Sequence, residues 1–124
     1  MTSARSRRGG LARDSGRRGE VLAAVLLMLK GYRILGFRLA SPQGEIDLLA
    51  IRGEVLAVVE VKRRTTIETA LEAVRPDQRE RLRRAAASIA AGRPALKAAT
   101  IRLDLIALAP GRLPRHIPDA WRGG

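Results

Sequence analysis

The chain has 124 residues, which suits one domain, and its lack of cysteine excludes disulfides, thiol catalysis and zinc–thiolate sites. Its formal net charge is +12, and only three of its 24 basic residues are lysine. This charge indicates a polyanionic partner, nucleic acid before an anionic membrane surface, although richness in arginine and alanine can also reflect codon bias.

The first segment, residues 1–16, is rich in arginine, glycine and serine and predicts a disordered basic arm before an α/β domain at residues 17–124. Such an arm can contact phosphates or serve only as a solubilising tail. From residue 17 to residue 30, apolar side chains recur at helical spacing. The predicted core-facing stripe of this helix is Val21, Leu22, Val25, Leu26, Met28 and Leu29. Because the apolar run is too short to cross a bilayer and no small-residue cleavage site follows it, we expect a cytoplasmic protein without a signal peptide or a membrane partner.

The middle of the chain predicts three strands joined by short turns, which is typical of an antiparallel meander. The third strand is rich in β-branched residues and should lie at the centre of the sheet. Two helices and a further strand follow. The predicted strands are residues 32–39, 45–51, 55–62 and 100–109, the predicted helices are residues 67–74 and 76–91, and a short strand or turn near 116–117 and a helical turn at 119–121 are expected.

The residues that carry chemistry are Asp47 on the second strand and Glu60 and Lys62 on the third. Side chains alternate along a strand, so Glu60 and Lys62 project from one face, and in the right register Asp47 converges on that face. Two carboxylates so close together repel each other unless one is protonated or a cation lies between them. Oxygen ligands of this kind suit Mg²⁺ or Mn²⁺. A neighbouring lysine can orient a metal-bound water or stabilise the charge that develops on a phosphodiester under attack.

The same pattern has a purely structural interpretation. The acid–x–lysine pair alone could be a solvated strand face with a cross-strand ion pair. Glu45 shares the face of Asp47 by period, and we expect it to be a salt-bridge partner at the strand edge rather than a ligand. Asp104, on the fourth strand, is expected to pair with an arginine, and His116, the only histidine, receives no catalytic role.

The stretch GEIDLLAIRGEVLAVVEVKRR, residues 44–64, closely resembles the YraN-like family of uncharacterised proteins. That family is similar by fold to the PD-(D/E)xK nuclease superfamily, near the archaeal Holliday-junction resolvases. The resemblance extends from Glu20 to Trp121 and so covers most of the chain after the arm. It implies a restriction-endonuclease-like single α/β domain with a mixed central sheet of about four to five strands flanked by helices.

The resemblance also implies roles for single residues. Asp47 and Glu60 correspond to the ligands of a divalent cation, Mg²⁺ or Mn²⁺, and Lys62 corresponds to the catalytic lysine. Glu20 resembles the acid that the first helix contributes to this kind of site. The alternative for Glu20 is a glutamate at a helix N-terminus that interacts with the helix dipole.

The long helix at residues 76–91 carries the predicted nucleic-acid-binding surface, because arginines crowd its solvent side. Gln78 matches one member of a Lys-Gln pair in the family, but Asp77 stands at the lysine position, which weakens a phosphate-binding role there. The residues expected to contact nucleic acid are Gln78, Arg79, Arg81, Arg83 and Arg84.

Three functions fit these observations. The first is a metal-dependent endonuclease that hydrolyses phosphodiester bonds in DNA, including branched or structured DNA. The second is a nucleic-acid-binding module without turnover, and the third is an adaptor whose arginine face meets acidic proteins. The intact acidic pair favours the nuclease, while the low aromatic content favours arginine contacts to duplex or junction backbones over base stacking. Junction-cutting relatives by fold act as two-fold dimers, so a homodimer is one expected arrangement.

Overall fold

The computed structural model describes residues 18–122, so the predicted arm at residues 1–16 lies outside the described residues. Helix α1 covers residues 18–29. The other elements are β1 Arg33–Ser41, β2 Gly44–Arg52, β3 Val55–Arg63, α2 Ile67–Glu72, α3 Pro76–Ala91, a 3-10 turn at Pro94–Leu96, β4 Thr100–Leu108 and β5 Arg115–Ile117. Residues 118–122 form turns rather than the expected helical turn. None of the helices in the described range is long and apolar enough to cross a membrane.

The five strands form one mixed sheet in the order β1-β2-β3-β4-β5. β1, β2 and β3 make the antiparallel meander that the short turns predict. β4 lies beside β3 in parallel, and α2 and α3 supply the crossover that parallel neighbours require. β5 adds an antiparallel edge strand. The chain is therefore a single α/β domain, as expected for a restriction-endonuclease-like architecture.

The sheet is covered on both faces, which explains the long apolar run in β3. Every side chain from Leu56 to Glu60 is buried. Val59 packs on the side of α1, whereas Val58 packs on the side of α3. A strand that is covered on both sides cannot alternate between apolar and polar residues, so a near-continuous apolar sequence results.

The apolar stripe predicted for α1 is wrong. Val21 and Leu29 are 52% and 82% exposed, and the helix contacts the sheet through Ala23, Ala24 and Leu27 instead. The small side chains of Ala23 and Ala24 let the helix approach the sheet closely. At Gly19, an added Cβ would lie 2.8 Å from Leu108 Cδ1. The helix is apolar on most sides, so periodicity could not identify its buried side.

The strand alternation breaks at Arg38 in β1 and Asp47 in β2. Leu48 packs on the α1 face, but Ile46, two residues earlier, packs on the α3 face. The regular pairs on either side are Phe37 with Leu48 and Leu39 with Ile46, so Arg38 and Asp47 face each other without pairing regularly. Arg38 has a φ of 48°, which is unusual for a residue other than glycine. The prediction that Glu45 and Asp47 share one face assumed regular alternation along β2, and that alternation does not hold here.

We expect Leu27→Ala to lower the free energy of unfolding by about 2–5 kcal/mol, because it leaves a cavity beneath α1. Leu29→Ala is the matched control, and it should change the free energy of unfolding by less than about 0.5 kcal/mol because Leu29 is 82% exposed. Urea denaturation of the two variants measures the difference. Similar losses for both would contradict the observed orientation of α1.

Candidate functional site

Asp47 and Glu60 lie where the pairing of β2 and β3 ends. The last regular pair is Leu48 with Val59, and one step further in the same register Asp47 faces Glu60. There the Val61 backbone N–H donates a hydrogen bond of 3.0 Å to Asp47 Oδ2. The Asp47 carboxyl is thereby fixed against the main chain between Glu60 and Lys62. The structure brings together the two carboxylates that the sequence proposed as ligands.

The Glu60 carboxyl is buried and incompletely hydrogen-bonded. The residue is 3% exposed, and its Oε1 has no hydrogen-bond partner within residues 18–122. Burial, followed by the nearby charge of Asp47, raises the pKa of Glu60 to about 8, while the charge of Lys62 acts in the opposite direction. A carboxyl in this state holds either a proton or a cation at neutral pH.

Lys62 is the nearby cation, but its contact with Glu60 is loose. Its Nζ lies 4.0 Å from Glu60 Oε2, and its side chain is 23% exposed. The two residues are neighbours on one face of the same strand, so their contact is not the cross-strand ion pair of the structural interpretation. The ammonium group is therefore close to the carboxylates and still accessible from solvent.

Glu20 of α1 approaches the same region from the helix side. Together with Asp47, Val61 and Arg63 it lines a cavity of about 140 Å³. Its Oε1 accepts a hydrogen bond of 2.7 Å from Arg38 Nε, and this contact raises the pKa of Arg38. Glu20 thus faces the candidate site. It is not engaged only with the helix dipole, because it also contacts Arg38.

The donor set fits a hard divalent cation that keeps part of its water shell. Asp47 and Glu60 offer carboxylate oxygens, and one buried oxygen of Glu60 lacks a partner in the described part of the chain. Within residues 18–122 no group of three or more histidine, aspartate or glutamate side chains is arranged to hold a metal ion. Mg²⁺ is commonly held by one or two carboxylates, with water and substrate phosphate completing its octahedron. Two adjacent carboxylates are sufficient for such a site.

The polar residues of α3 fall into two groups. Gln78 and Arg81 line a cavity of about 130 Å³ with Glu45 and Gln43, beside the turn between β1 and β2. Arg79 instead packs against Trp121, with its guanidinium carbon 5.7 Å from the ring centroid. This packing leaves Arg79 less available to a ligand than its neighbours.

The remaining arginines of α3 are exposed but partly neutralised. Arg81 lies 3.9 Å from Asp77 and Arg84 lies 3.9 Å from Glu80, in pairs that are more than half exposed. Such exposed pairs are weak and exchange readily for a phosphate. Arg83 is exposed on the same helix.

Sequence reasoning missed Arg38 and a second set of basic residues, three arginines at the edge of the sheet. Arg38 could not be recognised, because its relation to Asp47 depends on the register of β1 and β2. The second set surrounds a cavity of about 270 Å³ at the end of β3 and β4. Its arginines are Arg64, Arg112 and Arg115. The run of basic residues directly after Glu60-Val61 was the available signal for Arg64.

Asp104 has the structural role expected for it. Arg102 donates two hydrogen bonds to its carboxylate, at 2.8 and 2.7 Å, and His116 Nε2 lies 2.8 Å from Oδ2. Burial acts to raise the pKa of Asp104, but the hydrogen bonds from Arg102 and His116 outweigh it and the pKa lies below its usual value. The His116 side chain is buried in this network.

The comparison with known proteins assigns the family. The model of "Uncharacterised protein family UPF0102" matches residues 19–108, from α1 to the end of β4. The chain belongs to family UPF0102. A UPF0102 protein of Caulobacter vibrioides is 71% identical over 119 residues, covering 96% of this chain and 95% of the relative. The UPF0102 protein amb4503 of Paramagnetospirillum magneticum is 50% identical over 121 residues and 94% of each chain. The family expected from residues 44–64 is confirmed, and these names state no activity.

We expect the stability of this UPF0102 protein in chelator to fall between pH 5 and pH 8.5. The raised pKa of Glu60 contributes stability that is fully present below its unfolded value of about 4.5 and is lost as the pH rises through about 8. The slope due to one such group is at most about 1.4 kcal/mol per pH unit. Glu60→Gln should flatten this part of the profile and should be more stable than wild type at pH 8. Urea denaturation at a series of pH values measures both effects.

The control for this experiment is Glu54→Gln, because Glu54 is an exposed glutamate in the turn between β2 and β3. Its profile should follow that of the wild type. If Glu60→Gln also follows the wild type, Glu60 titrates normally and the electrostatic description of the pair is wrong.

Proposed function

We propose that this UPF0102 protein is a metal-dependent endonuclease that hydrolyses phosphodiester bonds in DNA. The observation that carries the proposal is the buried Glu60 carboxyl beside Asp47 and Lys62, with one oxygen that has no hydrogen-bond partner among the residues that the structure describes. Two carboxylates that are forced together in a sheet cost stability unless one of them is protonated or they bind a cation. The resemblance of residues 44–64 to the PD-(D/E)xK nucleases supports the same assignment.

Each residue of the site has a definable task. Asp47 and Glu60 would hold Mg²⁺ or Mn²⁺, which supplies Lewis-acid polarisation of the phosphate and acidification of water when bound. The hydrogen bond from Val61 keeps the Asp47 carboxyl oriented before any ligand arrives. Lys62 places an ammonium group next to the reacting phosphate, where it stabilises the charge that accumulates as water attacks phosphorus and a bridging P–O bond breaks. Glu20 lines the adjoining cavity and is available as a further acidic group.

DNA as the substrate is supported by the distribution of charge. The chain carries a net charge of +12, and arginines line both the cavity of Asp47 and the next cavity along the sheet edge. Arg63 lines the cavity that contains Asp47, and Arg64 and Arg112 line the next cavity along the edge. These positions suit contacts to phosphates on either side of a cleaved bond, with Arg81, Arg83 and Arg84 extending the basic surface.

A second candidate is a nucleic-acid-binding module without catalysis. It is favoured by one specific observation, the ion pair of 2.7 Å between Glu20 and Arg38, which occupies the third carboxylate near the site. With Glu20 engaged in this way, the site keeps its two carboxylates but lacks a free third acidic group. Both functions predict salt-sensitive binding to DNA, and they differ in metal binding and in cleavage.

Cleavage distinguishes the two candidates. We expect the purified protein to cleave linear, flapped or four-way DNA in the presence of Mg²⁺ or Mn²⁺. Glu60→Gln and Lys62→Met should each lower the cleavage rate at least about a hundredfold, because they remove a ligand and a transition-state charge, while DNA affinity changes little. Gel assays of rate and fluorescence anisotropy of binding measure the two quantities. Glu72→Gln, a change of an exposed glutamate on α2, should have no effect. Cleavage that persists in both site variants would exclude this site as its origin.

Metal binding can be tested without the substrate. At a hundredfold excess over Kd, a cation that binds only the folded protein stabilises it by about 2.7 kcal/mol, which raises the Tm by roughly ten degrees. Asp47→Asn keeps an oxygen that can accept from the Val61 N–H but removes one charge. We expect it to melt at or above the wild-type temperature in chelator and to lose most of the metal-induced rise. A much lower Tm in chelator would instead make Asp47 a structural residue.

A further inference from the structure

A second cavity adjoins the candidate metal site at Glu20. It has a volume of about 310 Å³ and is lined by Glu20, Val21, Phe37 and Arg38. Glu20 also lines the smaller cavity that contains Asp47, so the two cavities meet at this side chain. The volume lies at the lower end of the range typical of small-ligand pockets. A group bound in the larger cavity would therefore lie one side chain away from the acidic pair.

The walls of this cavity combine an aromatic face with a cation. Phe37 is the only phenylalanine of the chain and is 42% exposed, although its neighbours in β2 are buried. Arg38 directs its Nε to Glu20, and within residues 18–122 its two terminal nitrogens have no hydrogen-bond or ion-pair partner. A guanidinium carries five donors, so the Glu20 contact leaves four N–H groups for a ligand.

The backbone fixes this arrangement. Arg38 adopts a φ of 48° at the point where β1 and β2 lose regular alternation. Phe37 stays on the face that α1 covers, opposite Leu48, whereas Leu39 packs on the other face. A strained conformation of this kind costs about 1–3 kcal/mol and is often found at functional sites.

We propose that this cavity binds one unpaired nucleobase of the DNA, with Phe37 stacking on the base and Arg38 contacting its phosphate. The inference rests on the proposed function and specifies its substrate class as DNA with an unpaired base next to the cleaved bond, as at a flap, gap or junction. Base stacking on an aromatic side chain tolerates any sequence, and a basic group beside it binds the backbone. One aromatic residue is enough for one base, which is compatible with an aromatic content of 2%.

The competing occupant is a second copy of the chain. From Val21, the exposed apolar side of α1 continues through Val25, Met28 and Leu29. In a dimer this side of the helix would pack against its symmetry mate. The cavity itself is less suited to that role, because its floor is the Glu20–Arg38 ion pair and each copy carries a charge of +12. Charge favours a polyanion at this position.

The test measures binding in chelator, where cleavage does not occur, with two fluorescent DNA probes of the same sequence. One probe is a perfect duplex, and the other carries a short single-stranded flap. We expect the wild type to bind the flapped probe about tenfold more tightly. Phe37→Leu, which keeps an apolar side chain but removes the aromatic face, should reduce this preference to about twofold or less. Phe37→Trp should retain it, and Met28→Ala, on the exposed side of α1 outside the cavity, should not change it.

Arg38→Asn tests the cation, because asparagine tolerates a positive φ but carries no charge. Its affinity for the flapped probe should fall several-fold, and the slope of log K against log salt should decrease by about one. An unchanged preference in Phe37→Leu overturns the inference, and so does a shift of Phe37→Leu from dimer to monomer in sedimentation. If the preference depends on Phe37 but no cleavage occurs with metal, the binding inference stands and the nuclease proposal fails. If cleavage occurs while the preference for the flapped probe does not depend on Phe37, the nuclease proposal stands and the binding inference fails.

Discussion

The hydrogen bond from the Val61 backbone to Asp47 is the contact on which the candidate site depends. Regular pairing between β2 and β3 stops at Leu48 and Val59, and the Asp47 side chain takes up the next amide of β3. The carboxylate is thereby held beside Glu60 by the main chain rather than by a flexible neighbour. β3 in turn is fixed by burial on both faces and by its parallel partner β4. The geometry of the acidic pair is therefore set by the sheet itself and requires no ligand to form.

Two buried carboxyls on adjacent strands differ in how completely they are hydrogen-bonded. Asp104 of β4 lies next to Val59 in the parallel register, one position from Glu60, and it receives hydrogen bonds from Arg102, His116 and the Asp119 backbone. Its pKa is lowered, whereas that of Glu60 is raised to about 8. The fold can thus satisfy a buried carboxyl completely, but among residues 18–122 one oxygen of Glu60 has no hydrogen-bond partner. An incomplete partner set on a buried carboxyl is typical of a ligand site.

Helix α1 connects the core to the surface of the site. Its alanine face brings it close to the sheet, and this close approach places Glu20 at the cavity of Asp47. The same placement leaves the larger apolar side chains exposed along the other side of the helix. The ion pair between Glu20 and Arg38 lies between the cavity of Asp47 and the cavity of Phe37. A nucleotide bound at Arg38 would compete with Glu20 for the guanidinium group. It would thereby change the availability of the Glu20 carboxylate at the cavity of Asp47.

The sequence by itself determined the family, the antiparallel meander, the central position of β3 and the identity of Asp47, Glu60 and Lys62 as the candidate site. These features follow from local patterns within residues 32–64: turn residues, a β-branched run and an acid–x–lysine spacing. Only the tertiary structure decided which side of α1 is buried, because the helix is apolar on most sides and the choice depends on how closely alanine lets it approach the sheet. Only the register of β1 against β2, including the positive φ of Arg38, brought that arginine opposite Asp47 and next to Glu20. Strand register and helix orientation arise from contacts between residues distant in the chain, and no local pattern encodes them.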